Sequence, residues 1–334
     1  MIWLEFAVCS AGIIVAAIIL ARYADILAEK TGMGRLWIGI ILLAGVTSLP
    51  EMASGITAVN WLNAPNLAIG AILGSCLFNL ALIAVMDLAY QPGSILAKVE
   101  EGHVLSGGIG ILLLGLVAMG AMLGTAWSGA GWLGIGLLTP LIVFTYLAGA
   151  NLVYRFERRR MAEVHSQEAE AFQYTRIGTR RTVAVFALSA AAVVAFGIWL
   201  ASVGDRLSAQ TGLSRSFVGN LFLAVSTSLP EVAASMAAVR IGAIDMAIGN
   251  ALGSNLFNIL LLAVFDLTDM GRPFWPVLSE ANAFSAMMAV CLTAVVIISL
   301  VYRASPKTPF RLNWDGAILL AGYCVTMGIL FMIG

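Results

Sequence analysis

Apolar stretches long enough to cross a lipid bilayer dominate the chain and limit what it can fold into. A helix needs about 20 apolar residues to span a hydrocarbon core about 30 Å thick. With 60% apolar and 11% charged residues, the chain has too little polar sequence to cover a water-soluble surface. We therefore predict an all-α polytopic membrane protein. The ten predicted transmembrane helices are 2–22, 33–59, 65–88, 104–124, 130–153, 182–203, 213–239, 243–267, 278–302 and 314–333.

The distribution of basic residues predicts the orientation of these helices. If the N-terminus lies outside the cytoplasm, 15 of the 18 Lys and Arg residues fall in cytoplasmic segments and three in external ones. Cytoplasmic loops of membrane proteins are enriched in Lys and Arg in this way. We expect a multi-pass protein of the plasma (inner) membrane with both termini on the non-cytoplasmic side.

Two copies of one sequence pattern divide the chain into halves. Thr-Ser-Leu-Pro-Glu occurs at 47–51 and again at 227–231, an offset of 180 residues. Leu-Gly-Ser-x-Leu-Phe-Asn follows at 73–79 and again at 252–258, an offset of 179 residues. Matches in the same order at a nearly constant offset indicate an internal duplication.

The duplication predicts two five-helix repeats, 1–153 and 182–334, joined by a polar cytoplasmic connector at 154–181. Because five is an odd number, the second repeat must enter the membrane in the opposite direction. Many secondary transporters consist of such inverted repeats and bind their substrates at a midplane site between broken helices. We expect the same arrangement here.

Each repeat places one glutamate deep within an apolar stretch. A carboxylate at this depth costs about 2.5–3.5 kcal/mol on insertion scales, so it usually faces a partner or a water-filled cavity. Pro50 precedes Glu51, and Pro230 precedes Glu231. Proline removes a backbone donor and clashes with the previous turn of a helix. We therefore predict a kinked or restarted helix at each glutamate, with freed carbonyl groups that can bind a cation.

Helix capping is a simpler interpretation of the same residues. In Ser48-Leu49-Pro50-Glu51, serine would be the N-cap, proline would lie in the first turn and glutamate would occupy the third position. Capping explains a single break, but it does not explain two symmetric breaks at membrane depth. Both roles can also coexist.

A second element in each repeat adds neutral oxygen atoms. Ser75 and Asn79 are four residues apart, as are Ser254 and Asn258, so each pair shares one helix face. Hydroxyl and amide oxygens suit sodium and calcium rather than softer metals. For the neighbouring glycines we favour a role in close helix packing. These glycines are Gly70, Gly74, Gly249 and Gly253.

Two carboxylates with hydroxyls and amides would form an oxygen site of charge about −2. Such a site can neutralise one divalent cation or, alternately, two or more monovalent ones. Competition for the same carboxylates is a physical route to antiport. An empty, doubly charged site should resist movement through apolar surroundings.

The doubled motifs resemble those of the cation/calcium exchanger superfamily, which includes the sodium/calcium exchangers. Its members carry Gly-Thr-Ser-Leu-Pro-Glu followed by Gly-Asn-x-x-Gly-Ser-x-x-x-Asn/Asp in each repeat, and the resemblance spans essentially the whole chain. It implies a prokaryotic antiporter that exchanges Na⁺ for Ca²⁺ without a cofactor, with Glu51 and Glu231 as the central calcium ligands. The other implied ligands, through side-chain or carbonyl oxygens, are Thr47, Ser48, Ser75, Asn79, Thr227, Ser228, Ser254, Asn258, Ala44 and Ala224.

The chain departs from this family pattern at a few positions. Val46 and Ser226 replace the glycine that opens the motif, which puts sodium coordination there in question. Ala71 replaces the asparagine that Asn250 supplies in the second repeat. Asn258 stands where potassium-dependent relatives have aspartate, which argues against potassium co-transport and lowers the negative charge of the site.

Other functions remain open at this point. A proton/calcium antiporter, or one for another divalent cation, would use the same fold with glutamates that alternate between protonated and metal-bound forms. A cation channel could use the same ligands. A membrane-embedded enzyme is disfavoured because the predicted spans contain no nucleophile with a base and no metal-binding histidine set. Zero net charge argues against a nucleic-acid partner. We expect the protein to be a monomer in contact with membrane lipid.

A few polar residues lie outside the predicted site. We expect His103 on a solvated cytoplasmic loop, where it could form a weak ion or pH sensor with Glu100 and Glu101. Asp87 and Asp266 lie at the ends of equivalent helices, and we expect them to anchor those ends or to pair with basic residues of the loops.

Overall fold

The protein folds into a bundle of helices, and a computed structural model places most of the chain. All regular secondary structure within the described residues is helical, as the composition predicts. The described ranges are 2–33, 35–61, 63–90, 93–123, 136–165, 177–211, 227–269, 274–303 and 313–333.

The helices are numbered along the chain, and α2 and α3 are the two parts of one bent segment. Their bounds are α1 Ile2–Thr31, α2 Arg35–Thr47, α3 Leu49–Asn60, α4 Pro65–Ala89, α5 Gly102–Leu123, α6 Leu138–His165, α7 Thr179–Thr211, α8 Leu229–Arg240, α9 Ile244–Thr268, α10 Glu280–Tyr302 and α11 Trp314–Ile333.

Helices α4 and α9 form the centre of the bundle. In their most apolar windows, 72% of α4 and 83% of α9 is buried inside the protein, against 33% of α1 and 28% of α7. The two central helices pack against each other, and α9 also packs against α2, α5, α6 and α8. Helices α1 and α7 pack together at the periphery, where their outer faces are apolar and exposed. The polar residues of α4 and α9 are therefore placed away from lipid.

The helix that contains the first glutamate is broken, as the sequence predicts. Helix α2 includes a π-helical stretch at Ile38–Leu43 and ends at Thr47, and α3 leaves it at an angle of 43°. Ser48 lies between them with φ −88° and ψ 6°. Ser228 has nearly the same backbone angles, φ −85° and ψ 2°, directly before α8. Proline occupies the first turn of both α3 and α8, where its missing N–H leaves no helical hydrogen bond unmade.

Seven of the described helices are long and apolar enough to cross a membrane, or eight if α2 and α3 count as one span. Two predicted spans, 130–153 and 213–239, begin outside the described residues. The chain is an integral multi-pass membrane protein, and the total of ten helices stays a prediction.

Charged residues at the helix ends pair within two separate groups. One group joins segments that the sequence places in the cytoplasm, and it contains the pairs Arg35–Asp25, Arg160–Glu100 and Arg303–Glu101. At the other end Arg206 pairs with Glu5, at 2.5 Å, and the sequence places both residues on the external side. Among the described residues, no ion pair connects the two groups. This pairing agrees with the predicted alternation of the helices across the membrane.

His103 is fully buried, so the expectation of a solvated histidine was wrong. Its Nε2 lies 3.2 Å from Oδ1 of Asp245 at the start of α9, and the backbone N–H of Glu100 donates to the same oxygen at 2.7 Å. Asp245 therefore ties the connection between α4 and α5 to α9. The sequence did not reveal this contact because the partners are 142 positions apart.

The expected anchoring by Asp87 and Asp266 is confirmed, and the groups that they hold belong to loops and to the first turn of α6. Asp87 Oδ1 accepts a hydrogen bond from the backbone N–H of Ile95 at 2.7 Å. Asp266 Oδ2 accepts from the backbone N–H of Gly136 at 3.0 Å and from the hydroxyl of Thr139. Each aspartate thereby fixes the end of a central helix to a connecting segment.

The pKa of Glu100, in the connection between α4 and α5, is raised from its ordinary value of 4.5 to about 7. Burial of the carboxyl is the main cause, and the nearby carboxylates of Asp245 and Glu157 add to it. Arg160 and Arg35 act in the opposite direction. The raised pKa lets the folded protein hold a proton that the unfolded chain releases. The Glu100 carboxyl therefore contributes its full stabilisation of the fold below pH 4.5, and that contribution is lost as the pH rises through about 7.

Glu100→Gln is therefore expected to reduce the loss of stability between pH 5 and pH 8, since glutamine stays neutral throughout that range. The measurement is the apparent melting temperature of the purified protein in detergent at several pH values in that interval. The matched control is Glu101→Gln, because the Glu101 side chain is 80% exposed and should leave the pH dependence unchanged. An unchanged pH dependence in Glu100→Gln would contradict the assignment of this titration to Glu100.

Candidate functional site

The two predicted glutamates converge at the centre of the bundle. Glu51 is 4% exposed and Glu231 is 1% exposed. Ser48 Oγ donates a hydrogen bond to Glu231 Oε1 at 3.0 Å, and Ser228 Oγ donates to Glu51 Oε1 at 3.4 Å. Each glutamate thus contacts the serine of the other repeat. Thr227 is also buried, and it lines a cleft together with Glu51.

The serines at the two breaks hold the repeats together rather than cap their own helices. Ser48 and Ser228 occupy the N-cap positions of α3 and α8, but neither side chain makes a capping hydrogen bond. Both hydroxyls donate to the opposite glutamate instead. The capping-box interpretation of the serine side chains is therefore wrong, although proline still begins each helix.

Helices α4 and α9 bring the predicted neutral residues into the protein interior. Ser228 Oγ also lies 3.2 Å from Ser75 Oγ, within hydrogen-bond distance, which connects α4 to the break before α8. Asn79 Nδ2 donates to Asn255 Oδ1 on α9 at 3.1 Å. Ser254 is fully buried and Asn258 is 1% exposed. The four predicted Ser and Asn residues therefore lie on the two most buried helices.

Five buried oxygen atoms of the predicted ligands have no hydrogen-bond partner within the described part of the chain. Buried polar side chains are normally hydrogen-bonded, and each exception calls for a cause. Leaving such a group unsatisfied costs about 1–3 kcal/mol. A cation coordinated by these oxygens would remove that cost. The atoms are Glu51 Oε2, Glu231 Oε2, Asn79 Oδ1, Ser254 Oγ and Asn258 Oδ1.

Thr47 and Ala44 lie at the end of α2, directly before the first break. Thr47 Oγ1 lies 3.2 Å from the carbonyl oxygen of Ala44 and 3.4 Å from Asn250 Oδ1, and it can donate to either. The Ala44 carbonyl also accepts from the backbone N–H of Ser48 at 3.0 Å. A carbonyl oxygen has two lone pairs, so Ala44 can serve as the predicted ion ligand when Thr47 donates to Asn250 instead. Ala224, the equivalent residue of the second repeat, lies outside the described residues.

Sequence reasoning missed one polar contact between α4 and α9. Asn255 Nδ2 donates to the carbonyl oxygen of Cys76 at 3.1 Å, and Cys76 Sγ lies 3.9 Å from the carbonyl oxygen of Asn255. These two residues occupy equivalent positions in the two copies of the motif. Because one is cysteine and the other asparagine, comparison of the repeats gave no signal for a shared polar role.

The arrangement is an oxygen site with two acidic groups. No described ion pair involves Glu51 or Glu231. Among the described residues, no group of three or more His, Cys, Asp or Glu is arranged to hold a metal ion. The chemistry is therefore that of two carboxylates surrounded by hydroxyl and amide oxygens. Such ligands suit hard cations rather than zinc or copper.

Comparisons with known proteins agree with the sequence motifs. A family model described as "Sodium/calcium exchanger protein" matches residues 1–150 and 181–332. The sodium/calcium exchanger MaX1 of Methanosarcina acetivorans is 26% identical over an alignment that covers 93% of this chain and 93% of that protein. The inner membrane protein YrbG of Escherichia coli is 27% identical, and the alignment covers 93% of this chain and 90% of YrbG.

The fold is similar to that of solved structures of the sodium-calcium exchanger NCX_Mj. One of them, soaked with 100 mM Na⁺ and 10 mM Sr²⁺, superposes with a TM-score of 0.74. The superposition covers 98% of this chain and 99% of that chain, at 18% sequence identity. This similarity supports the all-helical membrane fold over nearly the full length.

Proposed function

The chain belongs to the sodium/calcium exchanger protein family, and we propose that it is a secondary antiporter that exchanges Na⁺ for Ca²⁺ across the plasma membrane. One observation carries the proposal: among the described residues, buried Glu51 and Glu231 each have a carboxylate oxygen without a hydrogen-bond partner, and hydroxyl and amide oxygens on the central helices also lack one. Since no described basic residue pairs with either glutamate, cations from solution are the expected counter-charges.

The proposed calcium ion binds between Glu51 and Glu231. Calcium takes six to eight oxygen ligands in flexible geometries, so the two carboxylates need neutral partners. Sodium ions would use the same carboxylates with other subsets of those partners. The proposed neutral ligands are Thr47, Ser48, Ser75, Asn79, Thr227, Ser228, Ser254 and Asn258, with carbonyl oxygens of Ala44 and Ala224.

Exchange follows from the charge of this site. With both glutamates ionised and no ion bound, the site would carry two buried negative charges in surroundings that solvate them poorly, which is energetically costly. One Ca²⁺ or two or more Na⁺ ions would remove that cost. We therefore expect the protein to change conformation readily only with one of these ion sets bound, which couples the two fluxes.

Reciprocal contacts between the repeats support an inverted-repeat architecture for alternating access. Ser48 contacts Glu231 just as Ser228 contacts Glu51, and these residues are equivalent at an offset of 180. Such mutual contacts are expected when a pseudo-two-fold axis passes through the site. We propose ten helices in two inverted halves, 1–153 and 182–334. The connector 154–181 and the Arg-rich helix ends would lie in the cytoplasm, and both termini would lie outside.

Calcium uptake into proteoliposomes with separately imposed gradients tests this function. Vesicles loaded with Na⁺ and diluted into Na⁺-free medium at equal pH should accumulate radioactive Ca²⁺, and the accumulation should collapse when external Na⁺ is added. Vesicles without protein provide the background. Uptake driven by a proton gradient alone would indicate a proton/calcium antiporter instead. Calcium equilibration without any counter-ion would indicate a channel.

A further inference from the structure

Asn250, on α9, is a buried amide that connects two helices of the ion site. The residue is fully buried. Its Nδ2 donates to Ser235 Oγ at 2.9 Å and lies 3.5 Å from the carbonyl oxygen of Glu231, both on α8. Its Oδ1 lies 3.4 Å from the hydroxyl of Thr47 at the end of α2. One side chain thus spans from the second-repeat glutamate to a threonine of the first repeat.

The first repeat has no such amide at the equivalent position. Ala71 stands there, and its methyl group can neither donate nor accept a hydrogen bond. A narrow cleft lies in this region, and its lining includes Ala71, Glu51 and Thr227. Gly55 replaces Ser235, and the ring of Phe265 approaches it so closely that an added Cβ would lie 2.0 Å from Phe265 Cζ. Asn250 therefore makes hydrogen bonds in the half of the site around Glu231, whereas Ala71 cannot make them in the half around Glu51.

Hydrogen bonding decides whether a threonine hydroxyl can serve as a cation ligand. The oxygen must present a lone pair to the ion, so its proton must point to another acceptor. For Thr47 the acceptors within hydrogen-bond distance among the described residues include the Ala44 carbonyl and Asn250 Oδ1. Asn250 also contacts the first turn of α8 through the Glu231 carbonyl. It can therefore orient the hydroxyl and fix the backbone that carries the glutamate.

We propose that Asn250 is a positioning residue that preforms the half of the site around Glu231 and Thr47. Because Ala71 cannot do the same in the other half, the loss of Asn250 should weaken sodium binding more than calcium binding. The proposal rests on the proposed Na⁺/Ca²⁺ exchange. Calcium carries twice the charge of sodium, so the two carboxylates supply a larger share of its binding. Sodium depends more on well-oriented neutral oxygens, and it is the ion that a misplaced Thr47 hydroxyl affects most.

Asn250→Ala tests this role by the half-saturation concentrations of the two ions in proteoliposomes. Loss of one hydrogen bond, at about 0.5–1.5 kcal/mol, corresponds to a rise of about 2- to 12-fold in the sodium half-saturation concentration. Calcium half-saturation should change by less than about twofold. Half-saturation does not depend on the amount of active protein, so a lower yield of folded variant does not obscure the result.

A double-mutant cycle shows whether Asn250 acts through Thr47. Thr47→Val removes the hydroxyl and keeps the shape, so adding Asn250→Ala should produce little further change in sodium half-saturation. The matched control is Thr227→Val, the equivalent residue beside Ala71, with which Asn250→Ala should combine additively. Additive behaviour with both threonines, or equal shifts for sodium and calcium, would overturn the positioning role.

Failure of this proposal is distinguishable from failure of the proposed function. If wild-type protein shows sodium-driven calcium uptake and Asn250→Ala has unchanged sodium half-saturation, only the role of Asn250 is wrong. If wild-type protein shows no such uptake, the proposed exchange itself is wrong.

Discussion

Glu51→Gln and Glu231→Gln are each expected to reduce sodium-driven calcium uptake by about 100- to 1,000-fold. Glutamine preserves the size of the side chain but removes one of the two charges that would neutralise Ca²⁺. Removing one partner from a buried ionic interaction costs about 3–5 kcal/mol, and the lower part of that range corresponds to a loss of this size. Both residues are nearly fully buried, so water cannot replace the missing charge.

The folded state should tolerate both substitutions, which separates loss of transport from loss of structure. Each glutamine can still accept the hydrogen bond from the opposite serine through its amide oxygen. The substitution also removes a buried charge that has no basic partner among the described residues. We expect size-exclusion profiles and apparent melting temperatures in detergent close to those of the wild type. Glu280→Gln is the matched control, because Glu280 is an exposed residue in the first turn of α10 and should leave uptake unchanged.

Near-normal sodium-driven calcium uptake in either glutamine variant would contradict the assignment of that glutamate as a central ligand. Loss of uptake accompanied by a strongly lowered melting temperature would indicate a structural role instead. The two variants should behave alike, because the structure places the glutamates in reciprocal contacts with equivalent serines.

The broken helix and the central acidic pair could be predicted from the sequence because each has a local cause. Pro50 within an apolar stretch is incompatible with an unbroken helix, and the structure bends between α2 and α3 by 43°. The glutamates stood out because carboxylates are rare in apolar stretches, and duplication of the surrounding motif placed them in equivalent positions. These signals are short in sequence and need no knowledge of packing.

Contacts between distant residues could not be predicted in the same way. From the sequence, His103 is predicted to lie on a loop. In the structure it is buried, and its side chain contacts Asp245 at the start of α9. Helix ends also differ from the apolar stretches, because helices continue beyond the hydrocarbon. Helix α1 extends to Thr31 although its predicted span ends at residue 22.

Close helix packing is visible in the structure at Gly253, one of the duplicated motif glycines of α9. The motif glycines are equivalent in sequence, and we expected all four of them to serve helix packing. An added Cβ at Gly253 would meet backbone atoms of Ile40, whereas one at Gly74 would meet no described atom within 4 Å; Asn220, the residue equivalent to Ile40, lies outside the described residues. The packing role is thus confirmed for Gly253 on α9, and it stays a prediction for Gly74 on α4. Gly253 makes this close contact because α9 packs against the π-helical stretch of α2.

Gly253→Ala is therefore expected to destabilise the protein strongly. The new Cβ would lie 2.3 Å from the carbonyl oxygen of Ile40 and 2.5 Å from its Cα. These are backbone atoms, so a side-chain rotation cannot relieve the overlap. Overpacking of a close contact costs about 1–3 kcal/mol, occasionally more, and we expect the upper part of that range. The readout is the apparent melting temperature in detergent, together with calcium uptake, which should fall because Ile40 lies on the helix that leads to the break at Ser48.

Gly74→Ala provides the matched control at the equivalent position of the first repeat. It should leave the melting temperature unchanged or raise it slightly, since alanine is favoured over glycine within a helix by about 0.5–1 kcal/mol. The difference between the two variants removes the effect of helix propensity, which both share. What remains is the cost of separating α9 from α2. Equal melting temperatures for Gly253→Ala and Gly74→Ala would show that this contact does not limit stability, and that α2 can move away from α9 at little cost.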